Sequence, residues 1–160
     1  MTTDAPLDEL LEAIEAADER GDPDDLRVLV ARGRTRFPDA IELREWEATL
    51  AIDDGRFADA LALLDIILAA LPGDFAARRE RASVLLDLGR FGEALTDLDN
   101  LPARERRDLP REEQAGLVHE QALCLDRLSR PADADTAYGE AARLFPRQYF
   151  VPPRHPRAVF

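Results

Sequence analysis

The sequence predicts an all-α chain of about four stacked helix pairs. Three observations carry this. Gly21, Gly55 and Gly89 stand 34 residues apart, and Pro38 and Pro72 keep the same interval. The stretch from each glycine to its proline is about four helical turns plus a junction. Around the second and third glycines the local text nearly repeats. Asp54-Gly55-Arg56-Phe57-Ala58-Asp59-Ala60-Leu61 is answered by Leu88-Gly89-Arg90-Phe91-Gly92-Glu93-Ala94-Leu95. No alternating pattern of a strand competes anywhere.

Each unit reads as two helices. First helices are expected over 7–19, 40–53, 74–88 and 111–128, and second helices over 24–36, 57–71, 91–101 and 132–145. The units are thus 7–38, 40–72, 74–108 and 111–146. The fourth copy, Leu128-Ser129-Arg130-Pro131-Ala132-Asp133-Ala134, is displaced by 40 residues instead of 34. Pro146 follows Ser129 by 17, as Pro72 follows Gly55, so this copy is in phase after a six-residue insertion. The polar, proline-bounded stretch 104–110 is the place for it.

Boundary chemistry agrees. Asp22-Pro23, Pro38-Asp39, Gly73-Asp74 and Arg130-Pro131 supply caps or first-turn prolines. The glycines suit the left-handed residue after a helix end. Pro102 stops the third second-helix early. Ala48, Ala82 and Ala122 share one phase of the first helices, where a neighbour must approach closely. Ala60, Ala94 and Ala134 do so in the second helices, with Leu64, Leu98 and Tyr138 four residues on. One such pair cannot bury its apolar face alone, whereas stacked pairs can.

The period of 34, the Gly-Arg-Phe-x-x-Ala-Leu text at Gly55 and Gly89 and the closing proline resemble the tetratricopeptide repeat family over roughly residues 7–146. Copies one and four depart from it: Pro23 and Pro131 replace the aromatic residue and Ser129 the glycine. Trp46 is shifted from the family's tryptophan phase, and Ala51, Leu85 and Leu125 take the tyrosine phase. The resemblance implies a right-handed α-solenoid whose first helices line a concave groove for an extended peptide or partner helix. At the groove phases the chain offers Glu45, Arg79 and His119, then Thr49, Ser83 and Leu123, then Ile52, Leu86 and Asp126. A solvated polar face with no ligand is the competing reading of these positions. One subclass of the family clamps a chaperone's C-terminal carboxylate with Asn, Lys and Arg. This chain has no lysine, and its one asparagine, Asn100, lies on a second helix. That role is therefore not expected.

Charge bounds the partner. The chain holds 21 basic residues, all arginine, against 33 acidic ones, a net −12. Phosphate backbones would be repelled, so nucleic acid is not an expected ligand. Residues 1–56 carry a net −9, residues 57–103 a net −4 and residues 104–160 a net +1. The acidic front favours a protein or peptide partner with a basic segment, and it equally serves solubility.

Chemistry is sparse. His119, Glu120 and Cys124 lie close in sequence, but His119 and Cys124, five apart on a helix, point about 140° from each other. Neither a metal pair nor an activated thiol follows. Asp22-Pro23-Asp24-Asp25 lacks the alternation of a calcium loop and reads as a helix cap. No phosphate-binding glycine loop is present. No catalysis, metal or cofactor is expected.

No stretch is long and apolar enough to span a membrane, and the N-terminus lacks a secretory pattern. A cytoplasmic location is expected, and the arginine-without-lysine bias suits a GC-rich bacterial genome. Residues 147–160 read as a Pro/Arg-rich extended tail or linker with no acidic residue. Tyr149, Phe150, Arg154 and Phe160 are its candidate contacts. It is expected to cover the open flank of the last helix pair, or to dock on another copy and give a homo-oligomer. The leading expectation is a non-catalytic interaction scaffold. The alternatives are a self-associating structural repeat and the regulatory module of a larger enzyme, by analogy with zincin-type metallopeptidases, although His-Glu-x-x-His is absent.

Overall fold

The computed structural model describes residues 6–146. Nine α-helices and no strand occur among the described residues: α1 Leu7–Glu19, α2 Pro23–Arg36, α3 Ile41–Asp53, α4 Phe57–Ala70, α5 Phe75–Asp87, α6 Phe91–Asp99, α7 Ala103–Asp108, α8 Arg111–Arg127 and α9 Pro131–Leu144. The chain divides into two compact units, Met1–Val84 and Leu85–Phe160, with the division falling within α5.

The turn inside every helix pair has one design. Gly21, Gly55 and Gly89 have φ of 65°, 70° and 70°. This left-handed turn lets the amide three residues beyond the helix reach back to its last exposed carbonyls. Arg56 N–H donates to the Ala51 carbonyl at 2.7 Å, Arg90 N–H to Leu85 at 2.8 Å and Asp22 N–H to Ala17 at 3.1 Å. Ser129 takes the same conformation, at φ 60°, and Arg130 N–H donates to Leu125 at 2.9 Å. The fourth turn therefore forms without its glycine. Three of the four second helices are preceded by an arginine paired to the acid three residues on: Arg56–Asp59, Arg90–Glu93 and Arg130–Asp133. In the first pair Asp22 takes that place and accepts from the Asp25 amide.

In the first unit, α1 packs on α2, α2 on α3 and α3 on α4. Its core joins Leu10, Ile14, Ala17, Leu26, Val30, Leu43 and Leu50. Gly33 sits mid-helix because a Cβ there would come within 2.8 Å of Leu10 and 2.9 Å of Leu43. In the second unit, α8 packs on α9 and α6 on α8. The small positions behave as the repeat requires: Ala48, Ala60, Ala82, Ala94, Ala122 and Ala134 are all fully buried. Leu64 and Leu98 fill the adjacent large positions. Tyr138, in the same phase, is half-buried against His119.

Two expectations need correction. The expected second helix over 91–101 ends at Asp99, because the Asn100 side-chain amide donates to the Thr96 carbonyl at 2.8 Å. Leu101 leaves the helix but stays buried. The expected count of about eight helices becomes nine because stretch 104–110 carries a helix of its own, α7. Pro102 precedes it, and the Gln114 amide holds its end by donating to the Arg107 and Leu109 carbonyls at 3.2 and 2.8 Å.

Candidate functional site

The three first helices of the first unit share a cavity of about 460 Å³. Glu15 comes from α1, Glu45, Trp46 and Thr49 from α3, and Ala76, Ala77 and Glu80 from α5. Asp74, just before α5, and the buried Leu64 of α4 complete it. The placement follows from helix periodicity. Glu45 and Thr49 lie one turn apart, as do Ala76 and Glu80, so each pair shares a face. Asp74 caps its helix, accepting from the Ala77 amide at 2.8 Å, which fixes its carboxylate at the rim. Thr49 donates to the Glu45 carbonyl at 3.2 Å and so turns its methyl outward from that bond.

Four carboxylates thus line one hollow. Burial, then Asp74 and Glu42, push the Glu45 carboxyl above its usual range. Burial, then Glu45, Asp74 and Asp53, do the same to Glu80. Among the described residues, the resolved influences on these two groups all oppose their ionisation. Yet no three His, Cys, Asp or Glu side chains among the described residues are grouped to hold a metal ion. The negative charge is spread along the wall of a hollow.

Of the positions expected to face a groove, Glu45 and Thr49 line this cavity. Ile52 and Arg79 are half-buried and Ser83 is exposed, all in the first unit, and none lines it. Leu86, His119, Leu123 and Asp126 belong to the second unit. There Leu86, His119 and Leu123 are half-buried and Asp126 is exposed. The His119 ring lies 5.3 Å from that of Tyr138, tilted by 60°. Tyr149, Phe150, Arg154 and Phe160 lie outside the described residues.

Glu15, Trp46, Asp74 and Glu80 were not expected to act together. Part of the signal was available. Glu15 precedes Thr49 by one repeat, and Glu80 follows Trp46 by one repeat. The cavity therefore uses the Thr49 phase and the phase beside Glu45. The shifted tryptophan marks that phase. Asp74 carries no helical phase, because a capping residue lies outside the helix.

Cys124 is fully buried in the second unit. Burial, reinforced by Glu120 and Asp99, pushes its thiol up to about 11. A thiol so placed stays protonated at neutral pH, the opposite of an activated nucleophile. A second hollow of the first unit, about 470 Å³, lies among α2, α3 and α4. An Arg27–Asp54–Arg56–Asp59 chain of ion pairs borders it, and Val30, Leu50 and Leu63 form its floor. The two arginines hold the Asp54 carboxyl below its usual range through hydrogen bonds. Among the described residues no helix is long and apolar enough to cross a membrane.

Residues 51–111 match the model of the tetratricopeptide repeat family. No curated protein matches the chain in sequence. Solved structures share its fold. MamA from Desulfovibrio magneticus RS-1, residues 41 to the end, superposes with a TM-score of 0.75 at 18% identity, over 89% of this chain and 77% of that one. MamA of AMB-1 gives 0.71 at 21% identity, over 87% and 78%. The pilF protein of Pseudomonas aeruginosa gives 0.66 at 16% identity, over 89% and 62%. The fold is the all-α helical-repeat class from which α-solenoids are built.

Proposed function

We propose that this chain, a tetratricopeptide-repeat protein, is a non-catalytic scaffold that binds a protein partner on the first-helix face of its first unit. One observation carries the reading: three successive first helices build a hollow in which charge and an aromatic wall meet. Side chains that served only the core would not line an open cavity with four carboxylates. A cavity of this size is within the range that holds part of a ligand. The partner is a segment with basic character, by charge complementarity. The compartment proposed is the reducing cytosol, where Cys124 stays a thiol.

Site-specific photo-cross-linking in the source cells tests this. A benzophenone amino acid replaces Ala76, exposed at the cavity, or Ala58, exposed on a second helix. A discrete cross-linked protein from position 76 and none from position 58 is the expected result. Equal yields from both positions, or none from either, would refute the assignment of this face.

A second reading, self-association, is favoured by charge. Residues 147–160 hold three arginines and no acidic residue, while the cavity is acidic. Light scattering on the full chain and on a chain ending at residue 146 decides it. An assembly that becomes monomeric on truncation supports the reading, and a monomer in both cases removes it.

A further inference from the structure

We propose that the cavity among α1, α3 and α5 is the seat of one cationic side chain of the partner, an arginine laid along Trp46 with its guanidinium among Glu45, Asp74 and Glu80. This deepens the scaffold reading above and rests on it. Three features of the hollow select that occupant.

The first is the division of its lining. Leu64, Ala76, Ala77 and the Trp46 ring supply apolar surface, while the carboxylates come from separate helices and from the cap. A long side chain with an aliphatic stem and a charged end matches such a lining. A wholly apolar residue would strand the carboxylates, and an acidic one would meet four like charges.

The second is the spread of charge. The carboxylates are not grouped to hold a metal ion. A guanidinium is larger and planar, offers five donors and stacks on aromatic faces. It can reach acceptors on two helices at once. An ammonium concentrates its charge at a point and gains less from the indole.

The third is the electrostatics of the lining itself. Glu45 acts against the ionisation of Glu80, and Asp74 acts against both. A cation entering between them reverses that influence. Binding therefore relieves a repulsion already built into the free protein.

Trp46 is the single tryptophan of the chain, so its fluorescence reports on this cavity alone. The probes are three capped heptapeptides, Ala-Pro-Ala-X-Ala-Pro-Ala, with X as arginine, its uncharged isostere citrulline, or glutamate. The expected result is a saturable change in emission with the arginine peptide, at least about tenfold tighter than with citrulline, and none with glutamate. Adding salt should narrow the gap. In the E45Q/E80Q variant the gap between the arginine and citrulline peptides should shrink, because only Glu15 and Asp74 remain as carboxylates of the lining, with far-UV circular dichroism unchanged.

Equal binding of the arginine and citrulline peptides to the unmodified protein overturns the cation seat while leaving the scaffold reading standing. Silence from all three peptides also overturns it, and the cross-linking at position 76 then decides the scaffold reading independently. A preference for arginine that is undiminished in E45Q/E80Q overturns the assignment to these carboxylates.

Discussion

At the scale of single residues, several side chains hold positions that cost the free protein stability. Ser129 occupies a left-handed turn that its three counterparts fill with glycine. A Cβ in that region costs about 1 kcal/mol, partly offset by the freer unfolded chain of a glycine variant. Ser129→Gly should therefore stabilise the protein by up to about 0.5 kcal/mol in urea denaturation. A loss of stability would mean the hydroxyl contributes more than the backbone conformation costs. Glu45 and Glu80 act through protons. Their folded carboxyls sit above the ordinary 4.5, so the native state holds those protons more tightly than the unfolded chain. Stability from these groups is present at low pH and falls as pH rises through the window above 4.5. Glu80→Gln should raise the melting temperature at pH 7, with the difference vanishing below the ordinary carboxylate range. An equal gain at both pH values would point to packing instead. Cys124, protonated and fully enclosed, should not react with a thiol reagent until the second unit opens. Labelling of the native protein at the rate of free cysteine would contradict its burial.

At the scale of elements, periodicity and turn chemistry made most helices legible. The expected 7–19 coincides with α1, and α2, α3, α4, α5, α8 and α9 each begin and end within one residue of expectation. The reason is local: glycine, proline and capping residues stand at nearly every boundary, and each acts within a few residues of itself. The exceptions are also instructive. Stretch 104–110 looked like polar insertion because six residues cannot show a helical period. The helix there depends on Gln114, from α8, reaching back to two of its carbonyl neighbours. Gln114→Ala should cost about 1 kcal/mol and speed amide exchange within α7 alone, since a lost side-chain hydrogen bond is worth about that. Unchanged exchange would show that the flanking prolines suffice. The cavity lay between these extremes. Phase put Glu45 and Thr49 on the helix face that the cavity uses, and Glu15 and Glu80 stood one period from cavity residues. Asp74 was hidden by its place outside any helix.

At the scale of the whole molecule, charge is the dominant global property. A net −12 on 160 residues repels itself, while the ion pairs described here are mostly exposed and individually weak. Thermal stability should therefore rise between about 0.02 and 0.5 M sodium chloride as screening shortens the reach of the repulsion. A fall would mean the surface ion pairs outweigh it. The amino-acid sequence by itself determined the helical class, the 34-residue repeat, the insertion and the acidic front of the chain. All of these depend on residue identity and short-range spacing. Only the tertiary structure decided that Glu15, Glu45, Asp74 and Glu80 line one cavity with Trp46, and that Cys124 is sealed away. Those outcomes depend on how neighbouring helices turn their faces toward each other. That rotation is set by side-chain packing summed over whole helices, which no single position in the sequence records.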